Sequence, residues 1–171
     1  PQRIDGKVSG AVVTFLDTTE RRVTNEKIRQ LSEAVEQSPA SIVITDKEGN
    51  IEYVNTKFVK VTGYSVKEAI GQNPRLLKSG ERPQEFYKEL WETILAGKEW
   101  QGDFHNKTKD GRLFWESALI SPVKNENEKI THFVAVKEDV TERRKVQEEI
   151  KRQSALITSL LDSIPDLVFF K

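Results

Sequence analysis

The sequence predicts an α+β module: two strands, a group of short helices and one longer one, then a three-strand antiparallel meander, with a charged helix on each side. Three observations carry this reading. Short apolar runs bounded by Gly, Asn, Asp and Pro occur before and after a segment whose apolar residues recur at helical spacing. The phrase Asp17-Thr18-Thr19-Glu20-Arg21-Arg22 returns one domain length later as Asp139-Val140-Thr141-Glu142-Arg143-Arg144, so a strand-to-helix junction has been copied. The phrase Val35-Glu36-Gln37-Ser38-Pro39 is echoed by Leu161-Asp162-Ser163-Ile164-Pro165. One whole module therefore lies between the tail of a like module and the head of another. The expected division is 1–18 tail strand, 19–37 linker helix, 38–139 complete module, 140–163 linker helix and 164–171 start of the next module.

The elements follow in order. Val8 to Leu16 reads as a strand whose own partner strands lie upstream. It is therefore expected to be disordered here, or paired with another chain. From Thr19 the composition is charged, with Ile28, Leu31 and Val35 on one stripe, and Pro39 ends the helix. Ile42–Thr45 and Ile51–Val54 are strands joined through Glu48-Gly49-Asn50. Asn55 suits a helix N-cap, because its side-chain oxygen can accept an orphan backbone N–H. The helix it starts carries Phe58, Val59 and Val61 and ends at Gly63. Ser65-Val66-Lys67-Glu68 is a capping box for a second short helix ended by Gly71. Pro83 fits the first turn of the longest helix of the module, with Phe86, Leu90, Trp91, Ile94 and Leu95 inward and Gly97 at its end. Strands over Trp100–Thr108, Leu113–Val123 and Thr131–Lys137 complete the module, the first two joined by Asp110-Gly111 as a two-residue hairpin turn. In the second linker, Val146, Ile150, Ile157, Leu160 and Ile164 hold heptad spacing, interrupted by Gln153.

Composition excludes several functions. Lys plus Arg and Asp plus Glu stand at 27 each, which leaves no electrostatic footprint for nucleic acid or an anionic membrane. No apolar run approaches the roughly 20 residues a spanning helix needs, so no membrane contact is expected. Zero Cys removes disulfides, thiolate nucleophiles and thiolate metal sites. With His105 and His132 alone, a multi-His metal centre is not expected. No nucleophile, acid–base dyad or phosphate loop points to an enzyme.

The phrases Ile51-Glu52-Tyr53-Val54-Asn55, Val61-Thr62-Gly63-Tyr64, Gly71-Gln72-Asn73-Pro74-Arg75, Trp100-Gln101-Gly102, Lys109-Asp110-Gly111 and Asp139-Val140-Thr141 span the module, and together they resemble a PAS domain. The wording is most similar to the flavin-binding PAS domains of nitrogen-fixation-type redox sensors. The resemblance implies a five-stranded antiparallel sheet in the order 2-1-5-4-3, counting the module's own strands, with helices on one face enclosing a ligand cavity. It also implies a cytoplasmic sensor or relay in a multi-PAS protein of histidine kinase or diguanylate cyclase type, its output domain elsewhere in the same chain. FAD or FMN is the cofactor to expect. A ligand-free dimerisation and relay module is the alternative, and a small flavin enzyme the remote one.

Each candidate site residue carries two readings. Trp100 stands where flavin redox sensors place a tryptophan near the isoalloxazine ring; otherwise it is a core residue at a strand start. Asn106 shares a strand face with Phe104, so an inward Phe104 makes Asn106 inward too, either to match the pyrimidine edge of a flavin or to tie the strand to a loop. Asn73 occupies the asparagine position of the light-oxygen-voltage phrase Gly-x-Asn-Cys-Arg, or caps a turn. Pro74 replaces the photoreactive cysteine there, so covalent flavin photochemistry is excluded. Glu116 stands where light sensors carry a second Asn. A carboxylate in the cavity would need a partner or a proton; the alternative is a salt bridge at the sheet edge. His105 alternates outward. The long helix offers no axial His, so haem is disfavoured. Asp139 and Thr141 are the relay candidates, because they lie where the last strand becomes the linker helix. The linker stripes imply a homodimer through parallel helices.

Overall fold

A computed structural model describes residues 2–4, 7–10 and 19–163. The chain divides into two compact units, Pro1–Val35 and Glu36–Lys171. In the first, strand β1 (Gln2–Ile4) pairs antiparallel with β2 (Lys7–Gly10); helix α1 spans Thr19–Glu36, and its last residue, Glu36, belongs to the second unit. The sequence reading had no in-chain partner for the strand that includes Lys7–Gly10, and the structure supplies one from the residues just before it. The continuation of that strand to Leu16, the first copy of the repeated phrase through Thr18, and the next module's start at 164–171 lie outside the described residues. Along α1 the apolar Val23, Ile28 and Leu31 are exposed.

The second unit is built on strands β3 (Ser41–Asp46), β4 (Ile51–Val54), β5 (Trp100–Lys107), β6 (Leu113–Lys124) and β7 (Ile130–Asp139). They form one antiparallel sheet in the order β4-β3-β7-β6-β5, which is the expected order. Between β4 and β5 run α2 (Thr56–Thr62), α3 (Val66–Ala69), a 3-10 turn (Pro74–Leu77) and α4 (Gln84–Leu95). Helix α5 (Thr141–Ser163) follows β7. Among the described residues, no helix is long and apolar enough to cross a membrane.

Local chemistry explains the helix starts. Asn55 Oδ1 accepts Phe58 N at 3.1 Å, the N-cap bond read from the sequence, and also accepts Ile42 N at 3.0 Å. Asn55 Nδ2 donates to the Ala40 carbonyl, so one buried amide starts α2 and pins the entry to β3. Ser65 and Glu68 form the capping box of α3. Two inner faces differ from expectation. On α2, Phe58 and Thr62 are the buried residues, because the helix is short and its i, i+4 row faces the sheet. On α4, Leu90 and Ile94 are buried, Phe86 and Trp91 half-buried, and Leu95 is 58% exposed one residue past the packed stripe. Pro83 is the N-cap of α4, just before its first turn.

The Asp110-Gly111 turn is also longer than expected. Thr108 N donates to the Arg112 carbonyl and Gly111 N to the Thr108 carbonyl, with Gly111 at φ +90°. This is a three-residue connection: a turn followed by a left-handed glycine. The core lies between the sheet and the helices. Phe58, Ile51, Leu77, Ile94 and Phe133 are nearly fully enclosed there.

Candidate functional site

Side chains alternate across a strand, so one face of β5, β6 and β7 meets the helices. Phe104 and Asn106 on β5, Glu116 and Ala118 on β6, and Phe133, Ala135 and Lys137 on β7 are all buried on that face. The register sets which polar groups meet. Phe104 lies opposite Glu116, Asn106 opposite Phe114, Ala118 opposite Lys137 and Glu116 opposite Asp139. Asn106 and Lys137 are thus both diagonal neighbours of Glu116, from strands on its two sides, within reach of long side chains. Lys137 Nζ lies 2.9 Å from Glu116 Oε2, and Asn106 Nδ2 donates to the same oxygen at 3.0 Å. The lysine side chain is 5% exposed and the glutamate 1%. Lys137 Nζ also sits 5.2 Å from the Phe104 ring centroid, a cation–π distance.

Two members of this group, Asn106 and Lys137, line a cavity of about 360 Å³, within the roughly 300–1,000 Å³ usual for small-molecule sites. Val43, Leu90, Ile94, Ile120, Phe133 and Ala135 supply apolar wall, and Asn106 and Lys137 supply the buried polar wall. Exposed Arg75, Lys78 and Lys88 also line it, so it opens to solvent beside them. Lys78 Nζ stands 3.3 Å from the Tyr87 ring centroid. Partial desolvation, and then the charge of Arg75, holds the Lys78 pKa below the usual lysine value. Desolvation pushes the Tyr87 hydroxyl up, against the opposing pull of Arg82.

The segment after the 3-10 turn covers the edge of β5, which as an outer strand would otherwise present unpaired backbone groups. Lys78 makes a backbone bridge to Asn106, Ser79 Oγ donates to the His105 carbonyl, and Arg82 donates to the Asp103 carbonyl. The cavity mouth is therefore tied to the strand that carries Asn106.

The sequence-derived candidates separate in space. Asn106 lines the cavity as its parity required. Asn73 lines it as well, but its amide is engaged internally: Oδ1 accepts Arg75 N at 3.1 Å and Nδ2 donates to the Gly49 carbonyl at 2.9 Å. Gly49, at φ +86°, is needed there, since a Cβ would stand 2.8 Å from Trp91 and 2.9 Å from Asn73. Glu116 is buried on the same face and bonds to Asn106 and Lys137, but it is not among the described lining residues. The edge salt bridge expected as its alternative is replaced by a buried one.

Trp100 is buried, yet it is not among the described lining residues of the cavity. Its ring packs edge-on to Phe86 at 5.3 Å and tilted to Phe104 at 5.2 Å. It folds back over Gly102, where a Cβ would meet two ring carbons at 2.5 Å. This explains the Trp-x-Gly spacing: both residues share a strand face, and only glycine leaves room for the indole.

Asp139 and Thr141 both act at the junction. Asp139 Oδ1 accepts Thr141 N at 3.0 Å, and Thr141 Oγ1 accepts Trp115 N at 2.9 Å. Val140 N donates to the Trp115 carbonyl. Trp115, missed in the sequence reading, is the centre of an outer-face stack. The His105 ring lies parallel to it at 4.4 Å, and the Arg144 guanidinium stands 4.1 Å from its ring centroid while pairing with Asp103. His105 does point outward, its Nδ1 2.6 Å from Glu81 Oε2. Since Trp115 and Glu116 are consecutive, one strand carries the buried partner of Lys137 and Asn106 on one face and the first turn of α5 on the other.

Where α1 ends, Glu36 was also missed. Its carboxylate accepts Tyr53 OH at 2.5 Å and both the backbone N and hydroxyl of Thr56. Bonding to Tyr53 and Thr56 lowers the Glu36 pKa, while burial, with Glu36 beside it, pushes the Tyr53 hydroxyl up to about 12.

Comparison with known proteins matches residues 39–142 to the sequence profile of the PAS domain. A nitrogen fixation regulatory protein of Klebsiella pneumoniae is 35% identical over 134 residues, 78% of this chain and 27% of the relative. A bacterioopsin transcriptional activator of Halobacterium salinarum is 34% identical over 150 residues, 85% of this chain and 22% of the relative. The chain thus spans about a quarter of the length of these relatives. Among solved structures, a PAS domain from Colwellia psychrerythraea superposes with a TM-score of 0.63 at 25% identity, covering 68% of this chain and 98% of that one.

Proposed function

This chain belongs to the PAS domain family, and from that premise we propose that its central module is a cytoplasmic sensor in a multi-PAS signalling protein. It holds a flavin, FAD or FMN, in the cavity. It passes the flavin's state to a histidine kinase or diguanylate cyclase output through a dimer of linker helices. The observation that carries the reading is the cavity itself. Apolar walls suit the faces of a flat ring system, and Asn106 with Lys137 suits a heteroatom-bearing edge. A bound flavin supplies reversible electron uptake. The protein's own residues would orient it: Asn106 and Lys137 would hold its edge, Leu90 and Ile94 of α4 would exclude water, and the lysines at the opening would meet any phosphate. With no cysteine in the chain, covalent adduct chemistry on a thiol is not part of the proposal.

Output runs along β6. A change at Glu116 is one residue from Trp115, whose backbone fixes Val140 and Thr141 and whose ring fixes Arg144. Beyond that turn, Val146, Ile150 and Ile157 of α5 are exposed at heptad spacing, which supports a parallel two-helix seam. Gln153, inside the stripe, bonds to Glu149 of its own helix at 3.1 Å. Sedimentation tests the seam: the wild type runs as a dimer and Ile150→Asp with Ile157→Asp as a monomer, and equal masses would refute it.

The flavin reading is tested by the visible spectrum after reconstitution with FAD and FMN. A bound, stoichiometric flavin band supports it, and a colourless protein with each contradicts it. In that case the ligand-free relay module is the reading that stands. It is favoured by the position of Trp100 outside the lining and by the internal engagement of both polar ends of Asn73.

A further inference from the structure

We infer that Lys137 determines which ligand edge the cavity accepts: the imide type, a hydrogen-bond-accepting carbonyl or ring nitrogen beside an N–H donor, with the Lys137 ammonium on the acceptor. The inference rests on the flavin reading and names the residue that reads the ring. Lys137 is 5% exposed and lines the cavity. Its ammonium carries three N–H donors, and Glu116 Oε2 takes one of them. Asn106 hangs on the same oxygen. A carboxylate can only accept, so that contact must be the Asn106 Nδ2, and its Oδ1 remains an acceptor with no side-chain partner among the described residues. The polar end of the cavity therefore presents ammonium donors and an amide acceptor fixed to one atom. An imide edge satisfies both. A ligand with a wholly apolar edge would leave the lysine's remaining donors unmet, and unmet buried donors weaken binding.

Charge placement adds a second consequence. Lys137 lines the cavity and Glu116 does not, so the positive member of the pair is the nearer one to a bound ring. Reduction brings electrons onto the ring, and a fixed positive charge beside it favours the electron-richer form. Lys137 thus raises the reduction potential of the bound group, and Glu116 restrains that rise.

The test uses the full chain and three probes, riboflavin, FMN and FAD, with dissociation constants from fluorescence quenching and midpoint potentials from dye-equilibrated reductive titration. Lys137→Met combined with Glu116→Gln removes both charges and keeps an acceptor for Asn106. It should bind flavin about tenfold more weakly, or worse, and with a lower potential than wild type. Glu116→Gln alone leaves the ammonium without its counter-charge and should raise the potential. A merely structural pair would not move the two variants in opposite directions. Wild-type affinity and potential in the double variant overturn the inference and leave the flavin reading intact. If the double variant does not fold, a Glu116→Gln potential at or below wild type overturns it. A wild type that takes up none of the three probes overturns the flavin reading and the inference together.

Discussion

Lys137→Met alone isolates the cost of stranding Glu116. The carboxylate is 1% exposed and its second partner is the Asn106 amide at 3.0 Å. Removing one member of a buried ion pair costs about 3–5 kcal/mol, because the remaining charge keeps its desolvation penalty and loses its compensation. The Asn106 bond persists and is of the charge-assisted kind, so the lower end, about 3 kcal/mol, is expected. Against a total stability of roughly 5–15 kcal/mol that is a large fraction. Adding Glu116→Gln removes the stranded charge and should return the protein to within about 1–2 kcal/mol of wild type. Urea unfolding followed by tryptophan fluorescence reads this directly, since Trp91, Trp100 and Trp115 all lie in this unit; the midpoint should shift with an unchanged slope. A single variant that loses less than about 1 kcal/mol, or a double variant no more stable than the single, would refute a buried ion pair at this position.

Three further outcomes are expected. Gly102→Ala should cost about 1–3 kcal/mol and alter the near-ultraviolet dichroism of Trp100, because a Cβ would overlap the indole and force the ring to move; an unchanged spectrum and midpoint would contradict the packing. Trp115→Ala should speed hydrogen exchange over residues 140–145 while leaving flavin affinity close to wild type, since the ring anchors α5 from the outer face; unchanged exchange there would remove Trp115 from the junction. At the α1 end, Glu36 has a lowered pKa, so its contribution is present above the ordinary carboxylate range and is lost as pH falls through its folded value. Tyr53 is raised, so its contribution is complete below pH 10 and is lost as pH rises through about 12. Tyr53→Phe should abolish the alkaline limb and shrink the acid one, which the Thr56 bonds to Glu36 partly retain, and ultraviolet titration should find a tyrosine ionising well above the ordinary value; all three tyrosines titrating together near 10 would be the contrary result.

Much of the fold was legible because its signals are local. Asn55, the Ser65–Glu68 box and Gly63 act within a few residues of themselves, and strand alternation placed Asn106 on the inner face before any contact was known. The misses depend on three-dimensional register. Glu116 and Lys137 meet only because β6 and β7 pair with Ala118 opposite Lys137. The sequence did hold a usable signal, since Lys137 shares parity with Phe133 and Ala135, and a charge at an inward position calls for a partner. Trp100 was placed on the correct face, but whether its ring reaches the cavity depends on its rotamer, and the folding of the indole over Gly102 decides that. The Asp110-Gly111 turn was misread because the dipeptide suits both hairpin classes, and the Thr108–Arg112 bonds select between them. Trp115 escaped notice because its role requires α5 to return against the outer face of β6.

The most direct measurement is the side-chain amide resonance of Asn106, followed by nitrogen-15 NMR as riboflavin is added. It should shift in proportion to occupancy, together with the backbone amides of Lys137, Ala135 and Leu90, residues that line the same cavity. An Asn106 signal that stays fixed while flavin binds, with shifts gathered elsewhere on the molecule, would contradict the claim that this cavity is the sensing site.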